Sequence, residues 1–318
     1  MALYVVTGGA GFIGSHLVEA LLARGESVRV LDDFSTGTRE NLAPFGDGFD
    51  LVEGDLTRIE DVRRAVHGAD YVLHQAALRS VPRSVDNPMA TNDVNVGGTL
   101  NVLQASKEAG VKRVVSASSS SIYGARDELP WREEMEPDPL SPYAVSKLAG
   151  ENYCRVFTKL YGLETVCMRY FNVFGPRMAP NSAYAAFIAI FLSGMLEGRP
   201  LMVNGDGSIS RDWTYIDNVV DANLKAATAP CASGESFNIA CGASLTLNEV
   251  IDELRSLTGE QGDITYGPGR VGDMPMSLAS TDKAHRLLGF EPLVAAREGL
   301  ERTVAWYGME KSAEFRGR

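Results

Sequence analysis

Cysteine and histidine are scarce in this chain, and both absences exclude something. The four cysteines, Cys154, Cys167, Cys231 and Cys241, show no C-x-x-C spacing, which argues against a disulfide framework or a zinc ribbon and predicts buried thiols in a reducing cytosol. The four histidines, His16, His67, His74 and His285, are scattered, so no metal site is expected. Cations are outnumbered: 30 Lys and Arg face 41 Asp and Glu, and the net charge of −11 argues against a nucleic-acid backbone as partner. No apolar run reaches the roughly 18 residues of a membrane span. The first residues enter a β-rich stretch with no charged leader, so a soluble cytoplasmic protein is expected. Repeats and low-complexity segments are also missing.

What is present is an apolar fraction of 45% in 318 residues, enough for a large α/β core. Leu3 to Val6 reads as a buried strand. It is followed by Thr7-Gly8-Gly9-Ala10-Gly11-Phe12-Ile13-Gly14 and an amphipathic helix to about Ala23. Glycines at 8, 11 and 14 between a strand and a helix suit a backbone turn that approaches a pyrophosphate at a helix N-terminus. The second strand, Ser27 to Leu31, ends in Asp32-Asp33. An acid about 20 residues beyond the glycines binds a ribose diol and repels a 2′-phosphate, so NAD is favoured over NADP; Arg39 nearby would soften that preference. Strands at 50–53, 71–74, 111–117 and 164–169 alternate with helices at 60–66, 89–109 and 142–161, predicting a parallel sheet covered on both faces. Gln75-Ala76-Ala77 are suited to lie against a cofactor. Beyond Tyr170 the pattern loosens. A helix near 184–197, a strand over 212–215 and helices at 216–228, 247–258, 281–288 and 295–308 are expected, with a frayed end from Glu310.

Tyr143-Ala144-Val145-Ser146-Lys147 carries the chemistry. Tyrosine and lysine four apart share one helix face. An ammonium beside the phenol lowers its pKa, which predicts Tyr143 as a general base. The serine run 118–121 lies upstream, where one serine can share the substrate hydroxyl.

The stretches TGGAGFIGSHL, LDDFSTG, HQAALRSVPRS, SASSSSIYG, SPYAVSK, RYFNVFGPR, NGDGSISRDWTYIDN and GRVGDMPMSLAS span nearly the whole chain. With them the sequence resembles the extended short-chain dehydrogenase/reductases, specifically the NAD-dependent UDP-sugar 4-epimerases, and looks most like UDP-N-acetylglucosamine 4-epimerases. The resemblance implies a Rossmann-type doubly wound parallel sheet over residues 1–170, with segments near 212–240 returning to it. A smaller C-terminal α/β part, 171–318, would bind a UDP-sugar. It implies Ser119, Tyr143 and Lys147 as catalytic residues. Asp32 would hold the adenosine ribose, Asp55 and Leu56 would flank the adenine, and Ala76 and Asn95 would lie along the pyrophosphate and nicotinamide half. Gly8, Gly11, Phe12, Ile13, Gly14, Asp33, Gln75, Ala77 and Tyr170 complete the expected NAD contacts, with Tyr143 and Lys147.

On the substrate side the resemblance implies Ser120 and Ser121 at the sugar, with Arg79 and Ser80 beside it. Asn172, Arg211, Arg270 and Asp273 fall at the uridine diphosphate. Ser277 falls at a gate beside sugar carbon 2, where hexose-restricted relatives tend to have tyrosine. Ser120-Ser121 replaces the Asp-Glu pair of the 4,6-dehydratases, and Ser121 the glutamate of the decarboxylases, which disfavours both. Arg79 departs from the acetyl-sugar epimerases, which often have glycine, and keeps a uronate substrate open. A UDP-glucose-only epimerase, a net oxidoreductase and an NAD-binding redox sensor are the alternatives. A homodimer pairing helices 89–109 and 142–161 in a four-helix arrangement is expected.

Overall fold

The computed structural model describes residues 1–178, 187–269 and 276–316, with side chains of the last helix described through Met309. Six parallel strands enter in chain order: β1 (Leu3–Thr7), β2 (Ser27–Asp32), β3 (Asp50–Glu53), β4 (Tyr71–His74), β5 (Arg113–Ser119) and β6 (Glu164–Tyr170). The Ser236–Ile239 strand adds beside β6, giving the order β3-β2-β1-β4-β5-β6-(236–239). Period-two alternation puts successive residues on opposite faces. Tyr4, Val6, Leu73 and Val115 pack into one buried cluster, while Val5, Val72 and Val114 pack into another. Strands buried on both sides read as continuous apolar runs for this reason.

The connecting helices are α1 (Phe12–Ala23), α2 (Ile59–Val66), α3 (Val81–Asp86), α4 (Pro88–Asn92), α5 (Gly98–Ala109) and α6 (Pro142–Tyr161). The helix α6 starts where Ser141 accepts from Ala144 N at 3.2 Å with Pro142 at the first position, and stops at Gly162 with φ +71°. The order reverses between β1 and β4, so the loops leaving them diverge. That opens a crevice at the carboxyl ends of the strands.

Four sequence expectations are corrected. The single helix over 89–109 is α4 and α5 joined by a π turn, Asp93–Gly97. The strand expected over 212–215 is two. Ser210–Asp212 pairs antiparallel with Ser244–Thr246, while Thr214–Tyr215 pairs parallel with Val173–Phe174. Between them Trp213 turns inward and donates to Leu245 O at 3.1 Å. The final helix runs from Ala296 to Arg316 instead of ending near 308. Of the cysteines, Cys154 and Cys167 are buried, but Cys231 is exposed and Cys241 half-buried. No described helix is long and apolar enough to cross a membrane.

Candidate active site

A cavity of about 650 Å³ lies in the crevice. Its wall brings together Gly8, Gly11, Phe12, Ile13, Gly14, Asp32, Asp33, Asp55, Leu56, Gln75, Ala76, Ala77 and Arg79, residues scattered over 72 positions of sequence. The glycines have different reasons. Gly8 has φ +68°, and a Cβ there would lie 2.8 Å from the Ala76 backbone across the strand-order reversal. A Cβ on Gly14 would lie 2.0 Å from Gly8 O. These two are required by the turn itself. At Gly11 a Cβ would meet only Gly8 O, at 3.2 Å, so its bareness keeps room at the cavity wall. No side chain caps α1 and no acid sits in its first turn, which leaves its N-terminal N–H groups for an anion.

Asp32 ends β2 almost fully buried. It accepts from Ala10 N and Phe34 N, each at 2.8 Å, and burial raises its pKa. Each oxygen retains acceptor capacity for a diol. Arg39 is held by Glu53 at 2.5 Å and over the Phe34 ring at 4.1 Å, so its charge is already matched. The donor set, the Gly11 gap and the uncapped helix fit NAD. The Ser35-Thr36-Gly37 stretch joins the wall, a contribution missed from sequence. Thr38 N and the Asn41 amide donate to Ala10 O, which ties this loop to the glycine turn.

Beyond the cleft, β5 delivers Ser119 and α6 delivers Tyr143 and Lys147. The Ser119 hydroxyl accepts from Ser121 N at 3.1 Å and hydrogen-bonds Tyr143. Lys147 donates to Ala117 O at 2.9 Å, with its ammonium 6.0 Å from the Tyr143 ring centre. Burial lowers Lys147 to about 8, although Cys167, Cys154 and Glu151 favour its charged form. The Tyr143 phenol departs from the sequence argument. Burial raises its pKa above the ordinary value, opposed by the Ser119 hydrogen bond and by the charge of Arg79. Desolvation of the anion outweighs nearby charge here. Ser121 Oγ is buried without a partner among the described residues, and Ser120 is half-buried beside it.

Underneath, Glu151 accepts from Ser118 Oγ at 2.5 Å and from two nitrogens of Arg169 at 2.9 and 2.8 Å. His74 is fully buried and held neutral, its pKa pushed down to about 3 by burial and then by Lys147. Thr99 donates to Asn95 O, so His74 Nε2–H donates to Thr99 and Nδ1 accepts from Thr7.

Four expected NAD contacts lie outside this wall: Tyr143 and Lys147, beyond the cleft, and Asn95 and Tyr170. Asn95 is 3% exposed and absent from the cavity wall; its amide is consumed by Leu78 N, Leu78 O and Ser146 Oγ at 2.8, 3.1 and 3.0 Å. Tyr170 is buried, its hydroxyl shared with Asn223 and Gln75, and reaches the wall only through Gln75. Ser80 caps α3, accepting from Arg83 N at 3.2 Å. Asn172 donates to Asp212 O and Ser277 Oγ at 3.1 and 3.3 Å, which joins residues 105 positions apart. Arg211 donates to Ser210 O at 2.8 Å. Arg270 and Asp273 lie outside the described residues. Among the described residues no three His, Cys, Asp or Glu side chains gather as metal ligands.

Comparison with known proteins agrees with this geometry. The chain is 39% identical over 311 residues to the UDP-glucose 4-epimerase of Mycolicibacterium smegmatis, covering 95% of this chain and 97% of that protein. Its fold is similar to the Thermotoga maritima UDP-glucose 4-epimerase with UDP-glucose, at TM-score 0.93, 37% identity and coverage of 97% and 99%. It is equally similar to the Methanobrevibacter ruminantium UDP-N-acetylglucosamine 4-epimerase in complex with UDP-N-acetylmuramic acid, at TM-score 0.92, 37% identity and the same coverage. A family model matches residues 4–240, from the first strand of the sheet through its last, and the chain belongs to the NAD dependent epimerase/dehydratase family.

Proposed function

We propose that the protein inverts carbon 4 of a UDP-hexose, interconverting UDP-N-acetylglucosamine with UDP-N-acetylgalactosamine and UDP-glucose with UDP-galactose. The observation that carries this reading is the Ser119–Tyr143–Lys147 group at the end of β5, beside a cleft that fits NAD. Residues 1–170 with the returning 236–239 strand form the cofactor half, and the remainder holds the UDP-sugar.

Tyr143, as phenolate, takes the proton of the sugar 4-hydroxyl and later returns it. Ser119 Oγ accepts from Ser121 N, so its own proton is directed to the oxygen shared with Tyr143. The orphan Ser121 hydroxyl gains a partner in a sugar hydroxyl. Lys147 supplies positive charge on the same helix face. NAD, when bound there, would supply reversible hydride transfer at sugar carbon 4. Asp32 takes the ribose diol, and the α1 N-terminus the pyrophosphate. Asn172 and Arg211, with Arg270 and Asp273, are assigned to the uridine diphosphate.

Ser277 sets the width at carbon 2. It is 5% exposed, and its hydroxyl meets Asn172 Nδ2 at 3.3 Å and Asp212 N at 3.4 Å. A serine leaves volume for an acetamido group, whereas a tyrosine would fill it. Incubation with a panel of UDP-sugars and excess NAD tests the reading: sugars interconvert with no net NADH release, whereas steady NADH release would make the protein a dehydrogenase. Ser277→Tyr is expected to remove turnover of the acetylated pair and spare the plain hexoses. Wild-type activity confined to plain hexoses or to UDP-glucuronate would refute the gate.

A further inference from the structure

Arg79 is out of pattern for this chain. Acids outnumber cations by 41 to 30, yet among the described residues Arg79 makes no hydrogen bond or ion pair. Its side chain lines the cavity, open to solvent but crowded enough that desolvation lowers its pKa, and the guanidinium remains a cation. The loop that carries it is built at a cost. Ser80, the next residue, has φ +139°, a conformation that L side chains rarely adopt. Asn95 grips Leu78, the preceding residue, through both N–H and C=O, and also donates to Ser146 on α6. Residue 79 is thereby fixed to the helix that bears Tyr143 and Lys147. The π turn holding Asn95 belongs to the same device, since such turns cluster at functional sites.

We propose that Arg79 is a second cation of the active site, one that holds the Tyr143 oxygen as an anion during turnover. The inference rests on the reading of Tyr143 as the base. Arg79 acts through Tyr143 and is a positioning residue for its charge. Among the described residues, Arg79 is the charged group whose Coulomb interaction reaches Tyr143. The surrounding groups leave it that task. Lys147 on α6 is committed to Ala117 O. From β5, Ser119 contributes a neutral hydrogen bond. His74, ending β4, is neutral. Arg83 on α3 lines the cavity without acting on Tyr143, and Glu151 is consumed by Arg169 and Ser118.

The test compares wild type, Arg79→Gln and Arg79→Lys as NAD-loaded enzymes, each checked for an unchanged melting temperature. kcat/KM is followed against pH with UDP-glucose and with UDP-glucuronate. A cation removed from beside a phenol raises its pKa by about one unit, so Arg79→Gln should move the acid limb upward by about one pH unit and cut the rate below that limb about tenfold. The shift should be the same for both sugars, and Arg79→Lys should restore most of it. An unmoved acid limb overturns the proposal. So does a loss confined to UDP-glucuronate, which would make Arg79 the counter-ion of a sugar carboxylate. Tyr143→Phe separates the two levels: if that variant stays active, the reading of Tyr143 as base fails; if it is inactive while Arg79→Gln leaves the limb in place, only the role of Arg79 fails.

Discussion

Tyr143 shows how far residue types reach. Its spacing from Lys147 identifies one helix face, but whether the phenol ionises depends on what surrounds it. Burial pushes it up, while Ser119 and Arg79 pull it down. Tyr143→Phe should lower epimerisation by about 10²–10⁴ while NAD stays bound, checked by turnover and by cofactor content of the purified variant. Near-full turnover would remove Tyr143 from the role. Lys147 gives a second expectation. Its folded-state pKa of about 8 lies below the ordinary 10.5, so the ammonium is lost as pH rises through about 8. kcat/KM should therefore fall above pH about 8, and a flat profile to pH 10 would show that the charge on Lys147 is not needed.

At the level of elements, Asp212 joins three segments that sequence reading kept apart. Its carboxylate accepts from Cys241 N, Gly242 N and Ala279 N at 2.8, 3.0 and 3.3 Å. Asp212→Ala would leave those donors buried without an acceptor, at roughly 1–3 kcal/mol each before relaxation, so a loss of about 3 kcal/mol is expected in urea unfolding. Burial raises this carboxyl to about 6 from 3.8. Between those values the folded state holds more protons than the unfolded state. The group therefore makes stability fall as pH rises from about 4 to 6, a slope that Asp212→Ala should lack. The split of 212–215 into two strands has the same origin. Two adjacent short stretches pair with different partners, one at 244–246 and one at 173–174, and neither partner is visible from local alternation.

For the whole molecule, the exposed face of α6 calls for a partner. Val145, Tyr153, Val156 and Leu160 recur at helical spacing and are 52%, 37%, 41% and 70% exposed, with Met89 of α4 at 68%. We propose that this face pairs two copies of the chain in a four-helix arrangement, the commonest symmetry for such contacts being two-fold. Light scattering should return about twice 34.3 kDa, and Val156→Glu should shift the mass toward the monomer. A clean monomer for wild type would leave the stripe unexplained.

The sequence by itself determined what is local in the chain. Alternating strands and helices, the glycine turn at 8–14, Asp32 at the end of β2 and the Tyr143–Lys147 face are each set within a few residues by backbone sterics and side-chain period. Those signals sufficed for the parallel sheet and for the glycine-turn and Asp32 parts of the cavity wall, while Asp55, Leu56 and Arg79 were placed there by the family resemblance. Tertiary structure alone decided the rest. Asn95 reads as a cofactor ligand until the loop at Leu78 folds over and takes its amide. Ser277 and Asn172, 105 residues apart, meet only once the 276–280 segment lies beside 210–212. The sign of the Tyr143 shift and the pairing with Arg79 also emerge there. Desolvation and Coulomb terms depend on distances and burial in three dimensions, which residue spacing along a chain does not encode.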